Sequence, residues 1–90
     1  MLQNTYSAFD KKAVFFLGTF TARSDSEASR MFGDGVQDRK SLLAAHPEDY
    51  ALYRLGTFDD TSGQISGEAT PVFICEALSF VSPIHAVEAP

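Results

Sequence analysis

The chain has 90 residues and a net charge of −5, which limits it to one small domain and argues against a strongly basic nucleic-acid binder. A domain this short buries a small core and is marginally stable; eight Phe and three Tyr bring large rings to it. No stretch approaches the ~20 apolar residues that span a bilayer, so no membrane partner is expected.

The start "MLQNTYSAFDKK" lacks a basic segment followed by an apolar run and a cleavage site, so no signal peptide is expected. The single cysteine, Cys75, cannot form an internal disulfide. It sits in "VFICEAL", which reads as a buried strand, and fits a reducing cytoplasm.

In chain order, Thr5–Ala22 is rich in β-branched and aromatic residues and reads as two strands broken at "DKK". In the second strand, Val14, Phe16 and Phe20 are expected on one face and Phe15 and Leu17 on the other. Ser24 with Glu27 is a capping-box pattern that starts a helix. Ala28, Met31, Phe32 and Val36 lie on one face of it, and Gly33 and Gly35 weaken and fray its end. "KSLLAAHPED" reads as a short second helix, started by Ser41 and stopped at or before His46 by Pro47. "DYALYRLGTF" is a strand, "PVFICEALSF" its return partner, and "DDTSG" the turn between them, with Gly63 supplying positive φ.

The expected fold is α+β: a small, mainly antiparallel sheet with one longer and one short helix packed on one side. Residues 1–81 form the single domain, and 82–90 an extended tail.

Charge divides unevenly. Residues 1–40 carry six Lys/Arg against five Asp/Glu, and residues 41–90 one Arg against seven. The acidic turn departs from the spacing of an aspartic-protease loop and lacks the alternating oxygens of a calcium loop. Neither His46 nor His85 has a second His or Cys nearby, so no metal is expected. No nucleophile, base or phosphate loop converges, so an enzyme is not expected, nor a cofactor. Arg54 beside Tyr53 suggests a stacking platform for single-stranded bases, or else pairs with Glu48, Asp49 or Asp59. Lys11, Lys12, Arg23, Arg30, Arg39 and Lys40 could form a phosphate-tracking patch or merely solvate the surface.

Three stretches carry a resemblance: "YSAFD" at Tyr6–Asp10, "RMF" at Arg30–Phe32, and "HPEDYALYRLGTFDDTSG" at His46–Gly63. They resemble the small non-structural protein of gokushovirus-like microviruses, phages with circular single-stranded DNA, over about three-quarters of the chain. That resemblance implies a DNA-binding protein acting at the switch to single-stranded genome synthesis and packaging in the host bacterial cytoplasm. The acidic charge runs against strong autonomous binding.

The expected function is therefore weak single-stranded-DNA binding, as a homo-oligomer. Phosphates would meet Lys11, Lys12, Arg23, Arg30 and Arg54, and bases would stack on Tyr53 or Phe15. The alternative is an acidic adaptor that docks on a replication initiator, a capsid protein or the host replication machinery.

Overall fold

A computed structural model describes residues 1–81; the tail expected from Ser82 lies outside the described residues. The elements are β1 (Leu2–Asp10), β2 (Phe15–Ala22), α1 (Asp25–Gln37), α2 (Leu42–Ala45), β3 (Tyr50–Asp59) and β4 (Ile65–Glu76). Short 3-10 turns occupy Pro47–Asp49 and Ala77–Phe80. The four strands form one antiparallel sheet in the order β2-β1-β3-β4. The α+β class is the expected one.

The core lies between one face of this sheet and the helices. Tyr6, Ala8, Ala22 and Leu52 from the strands pack with Ala28, Phe32 and Val36 of α1, joined by Tyr50 and Ala77. Burying these side chains at ~25 cal/mol per Å2 of apolar area is the main driving force. Side chains alternate along each strand, so Ser7 and Phe9, flanking Ala8, point to the opposite face.

Local signals set the helix ends. Ser24 Oγ accepts the Glu27 N–H at 3.1 Å, and Glu27 returns a bond by accepting the Arg23 N–H at 2.9 Å. The carboxylate thus caps one residue earlier than in the standard box. Ser41 Oγ accepts the Ala44 N–H at 3.0 Å and opens α2, which ends at His46 before Pro47.

Four expectations are corrected. The helix does not fray at its glycines but continues through both to Gln37. Gly33 is where the Phe80 ring docks, and a Cβ there would stand 2.6 Å from that ring. Tertiary packing overrides the propensity cost. The return strand starts at Ile65 and ends at Glu76, so "ALSF" is a 3-10 turn rather than strand. Pro71 is accommodated because β4 is an edge strand. Cys75 is half-buried, with its thiol 3.9 Å from Ser29 Oγ and pushed up in pKa by burial.

Phe16 and Phe20 do not share a face. Ser7 pairs with Thr19 but Phe9 pairs with Phe16, so Ala8 stands opposite both Leu17 and Gly18. That extra residue reverses the alternation along β2. Phe20 and Leu17 pack on the core side, and Phe16 emerges on the other.

Candidate nucleic-acid interface

The face of the sheet turned away from the helices carries a row of rings, one from each strand: Phe16 on β2, Phe9 on β1, Tyr53 on β3 and Phe73 on β4. Phe9 and Phe16 are directly opposite each other, as are Tyr53 and Phe73. Ring centroids lie 4.8 Å apart for Phe9–Phe16, 6.0 Å for Phe9–Tyr53, 5.7 Å for Phe16–Tyr53 and 5.8 Å for Tyr53–Phe73. The three pairs that involve Tyr53 are edge-on, the geometry in which a ring's positive rim meets another's negative face.

None of these rings belongs to the core cluster. Phe16 and Phe73 are exposed, 36% and 51%, and Phe9 and Tyr53 are half-buried. Two irregularities position them. The bulge in β1–β2 brings Phe16 to this face, and the register shift between Leu52 and Tyr53 sets Phe73 rather than Ile74 opposite Tyr53. Ser7, directly opposite Tyr53, is fully buried. Its hydroxyl donates to the Leu17 carbonyl at 2.7 Å, so a small, satisfied side chain lies at the centre of the row.

A family model described as Phage ORF5 protein matches residues 3–80. The chain belongs to the Phage ORF5 protein family. No curated protein and no solved structure matches it. The span matched to the Phage ORF5 family contains all four ring-bearing positions.

The cations of this chain are dispersed. Lys11 reaches Glu76 at 2.6 Å. Glu76 pairs with Ala51, and Ala51 with Phe9, so this ion pair edges the ring face. Arg54 points to the helix side instead, where its guanidinium donates to Asp25 at 2.8 Å and to Glu68 at 3.0 Å. These are not the acidic partners expected from the sequence. Both contacts hold Arg54 charged, Glu68 contributing most. Arg23 pairs with Glu27 beside α1 at 3.1 Å, and Arg30 is exposed on α1, in the helix layer. Lys12 is exposed in the β1–β2 turn. Tyr53 and Arg54 therefore lie on opposite faces, and the expected phosphate ligands are not gathered around Tyr53.

Asp25 is the hub of the helix side. Tyr6 donates its hydroxyl to Asp25 at 2.5 Å and accepts from the Asn4 amide at 3.1 Å. The Tyr6 bond, then Arg54, lowers the Asp25 pKa, and burial followed by Asp25 pushes Tyr6 up to about 12. The acidic turn is structural. Asp59 accepts the Thr61 N–H at 2.9 Å, Gly63 has φ +77°, and the Met1 amine donates to Asp60 at 2.8 Å and Thr61 at 3.0 Å.

Phe15 is exposed and precedes Phe16 in β2, so it points away from the ring row. Phe16, Phe9 and Phe73 are the members that sequence reasoning missed. Strand alternation alone assigns Phe16 to the face of Phe20, and the bulge that reverses it leaves no distinctive sequence mark beyond Gly18.

Proposed function

We propose that this phage protein binds single-stranded DNA by stacking bases on the exposed ring face of its sheet. The observation that carries the reading is the row of Phe16, Phe9, Tyr53 and Phe73, one ring from each strand, on the sheet face opposite the helices. Aromatic side chains on an open sheet offer π-faces that any unstacked base can use, each worth ~1–3 kcal/mol. A duplex keeps its base faces inside its own stack and gains none of this.

Electrostatics is the minor partner. Lys11 edges the platform but is paired with Glu76, so phosphate neutralisation contributes little. The acidic balance that argues against a charge-driven binder is compatible with a stacking-driven one. Several copies along one strand, as in a homo-oligomer, would add short stacking sites into useful avidity. In a microvirus, which the sequence motifs resemble, the activity would serve the switch to single-stranded genome synthesis and packaging.

The test is fluorescence anisotropy of a labelled single-stranded oligonucleotide titrated with the protein at two salt concentrations, with duplex as control. Saturable binding that prefers single strands and weakens only shallowly with salt supports stacking. No binding at low salt overturns the reading and moves attention to the adaptor alternative.

A further inference from the structure

At the other side of the β1–β2 turn, the 3-10 segment Pro47–Asp49 brings together side chains that look unrelated in sequence. His46, Glu48 and Asp49 each place one ligand atom within 4.8 Å of the others. The backbone explains the convergence. Asp49 donates its N–H to the His46 carbonyl at 3.0 Å, closing a tight turn whose first position is Pro47. With three residues per turn, positions i and i+3 overlie each other. His46 and Asp49 are such a pair, and Glu48 has the longer stem needed to reach back. The Lys11 N–H donates to the Asp49 carbonyl at 2.8 Å and ties the turn to the end of β1.

We propose that His46, Glu48 and Asp49 form a divalent-metal site of zinc type. One imidazole and two carboxylates make a nitrogen–oxygen set that suits zinc better than magnesium, which favours all-oxygen octahedra with retained water. Around a tetrahedral ion with ~2.1 Å bonds the donors sit roughly 3.4 Å apart. His46 and Glu48 are exposed and Asp49 is half-buried, so the side chains have room to turn toward a shared ion from separations within 4.8 Å. Three protein ligands leave a fourth position open to water or to an external oxygen ligand.

Asp10, Lys12 and Tyr50 line the same pocket. Asp10 is committed elsewhere, since its Oδ1 accepts the N–H groups of Lys12 and Ala13, both at 2.9 Å. Lys12 is the one cation lining this pocket, yet among the described residues it forms no ion pair with Glu48 or Asp49. Among the described residues neither carboxylate is offset by an ion pair, and their proximity to each other is one that a divalent cation would relieve. This inference is independent of DNA binding on the ring face.

The experiment is isothermal titration of the chelator-stripped full chain with Zn2+ and, separately, Mg2+. Zn2+ binds and Mg2+ does so far more weakly. His46→Ala and Glu48→Gln each weaken Zn2+ by more than the about 10- to 100-fold that loss of an outer-shell partner costs. Lys12→Gln tightens it, by removing a like charge from the pocket. Cys75→Ser leaves it unchanged. Circular dichroism checks each variant's fold. In the unmutated chain, substoichiometric Mn2+ broadens the His46 imidazole NMR signals ahead of those of His85. Zn2+ uptake unaffected by His46→Ala, equal affinity for Mg2+, or Mn2+ broadening that spares His46 overturns the proposal.

Discussion

The rings of Tyr53 and Phe16 meet at 5.7 Å and 87° although β1 separates their strands. Neighbouring strands lie about 4.8 Å apart, so the two side chains lean toward each other across the central strand. Buried Ser7, opposite Tyr53, is small enough to permit it. Tyr53 thereby touches Phe9, Phe16 and Phe73 at once. Tyr53→Ala is expected to weaken single-strand binding by about 1–3 kcal/mol, roughly 5- to 150-fold, while Tyr53→Phe keeps it. Anisotropy titrations beside thermal melts check this, because a fold that melts normally but binds poorly separates the platform from stability.

Gly56 pairs with Gly67 across β3 and β4. A Cβ on it would stand 2.1 Å from the Ser66 carbonyl oxygen, a backbone atom held in the sheet. Gly56→Ala is expected to destabilise by about 1–3 kcal/mol or more, since overpacking cannot be relieved by a side-chain rotation here. Gly18 has nothing within 4 Å of its Cβ position, so Gly18→Ala is the control. Urea unfolding of both variants compares them.

Val14 adopts φ +62° in the β1–β2 turn, a conformation costly for a β-branched residue. Its amide donates to the Asp10 carbonyl at 2.7 Å, which helps hold it there. Val14→Gly is expected to raise stability by about 1 kcal/mol, because a left-handed conformation costs an L-residue roughly 1–2 kcal/mol and glycine's greater unfolded-state freedom takes part of that back. The midpoint of thermal or urea unfolding reports it.

The Tyr6–Asp25 bond gives stability two pH limits. Asp25 has a folded pKa below its unfolded value. Its contribution is therefore present above the unfolded value, near 4, and is lost as pH falls through the folded one. Tyr6 is raised from 10.0 to about 12, so its contribution is present below pH 10 and is lost as pH rises toward 12. Tyr6→Phe is expected to flatten the alkaline limb, and Asp25→Asn to lower stability at neutral pH and reduce the acid slope. Unfolding free energy measured across pH checks both.

Much of this architecture is legible in the sequence. Ser24 and Ser41 mark both helix starts, Pro47 the end of α2, and Gly63 the turn between β3 and β4. Periodicity also places Ala28, Phe32 and Val36 on the buried stripe of α1, whereas Met31, assigned to the same stripe, is exposed. What sequence could not show depends on partners distant in the chain. Gly33 reads as a helix breaker until Phe80 docks on it. Arg54 reads as a neighbour of Tyr53 until the strand sends the two side chains to opposite faces. Of the expected stacking residues, Tyr53 lies in the ring row and Phe15 points away from it. The phage resemblance is carried by Tyr6–Asp10, Arg30–Phe32 and His46–Gly63, all within residues 3–80 matched to the Phage ORF5 protein family.

The most direct measurement is NMR chemical-shift mapping of the isotope-labelled protein on addition of a short oligothymidine. Stacking on the ring face is expected to concentrate the shifts at Phe9, Phe16, Tyr53 and Phe73, with α1 unmoved. Shifts confined to α1 and the residues around Arg30, or no shifts at saturating DNA, would contradict it.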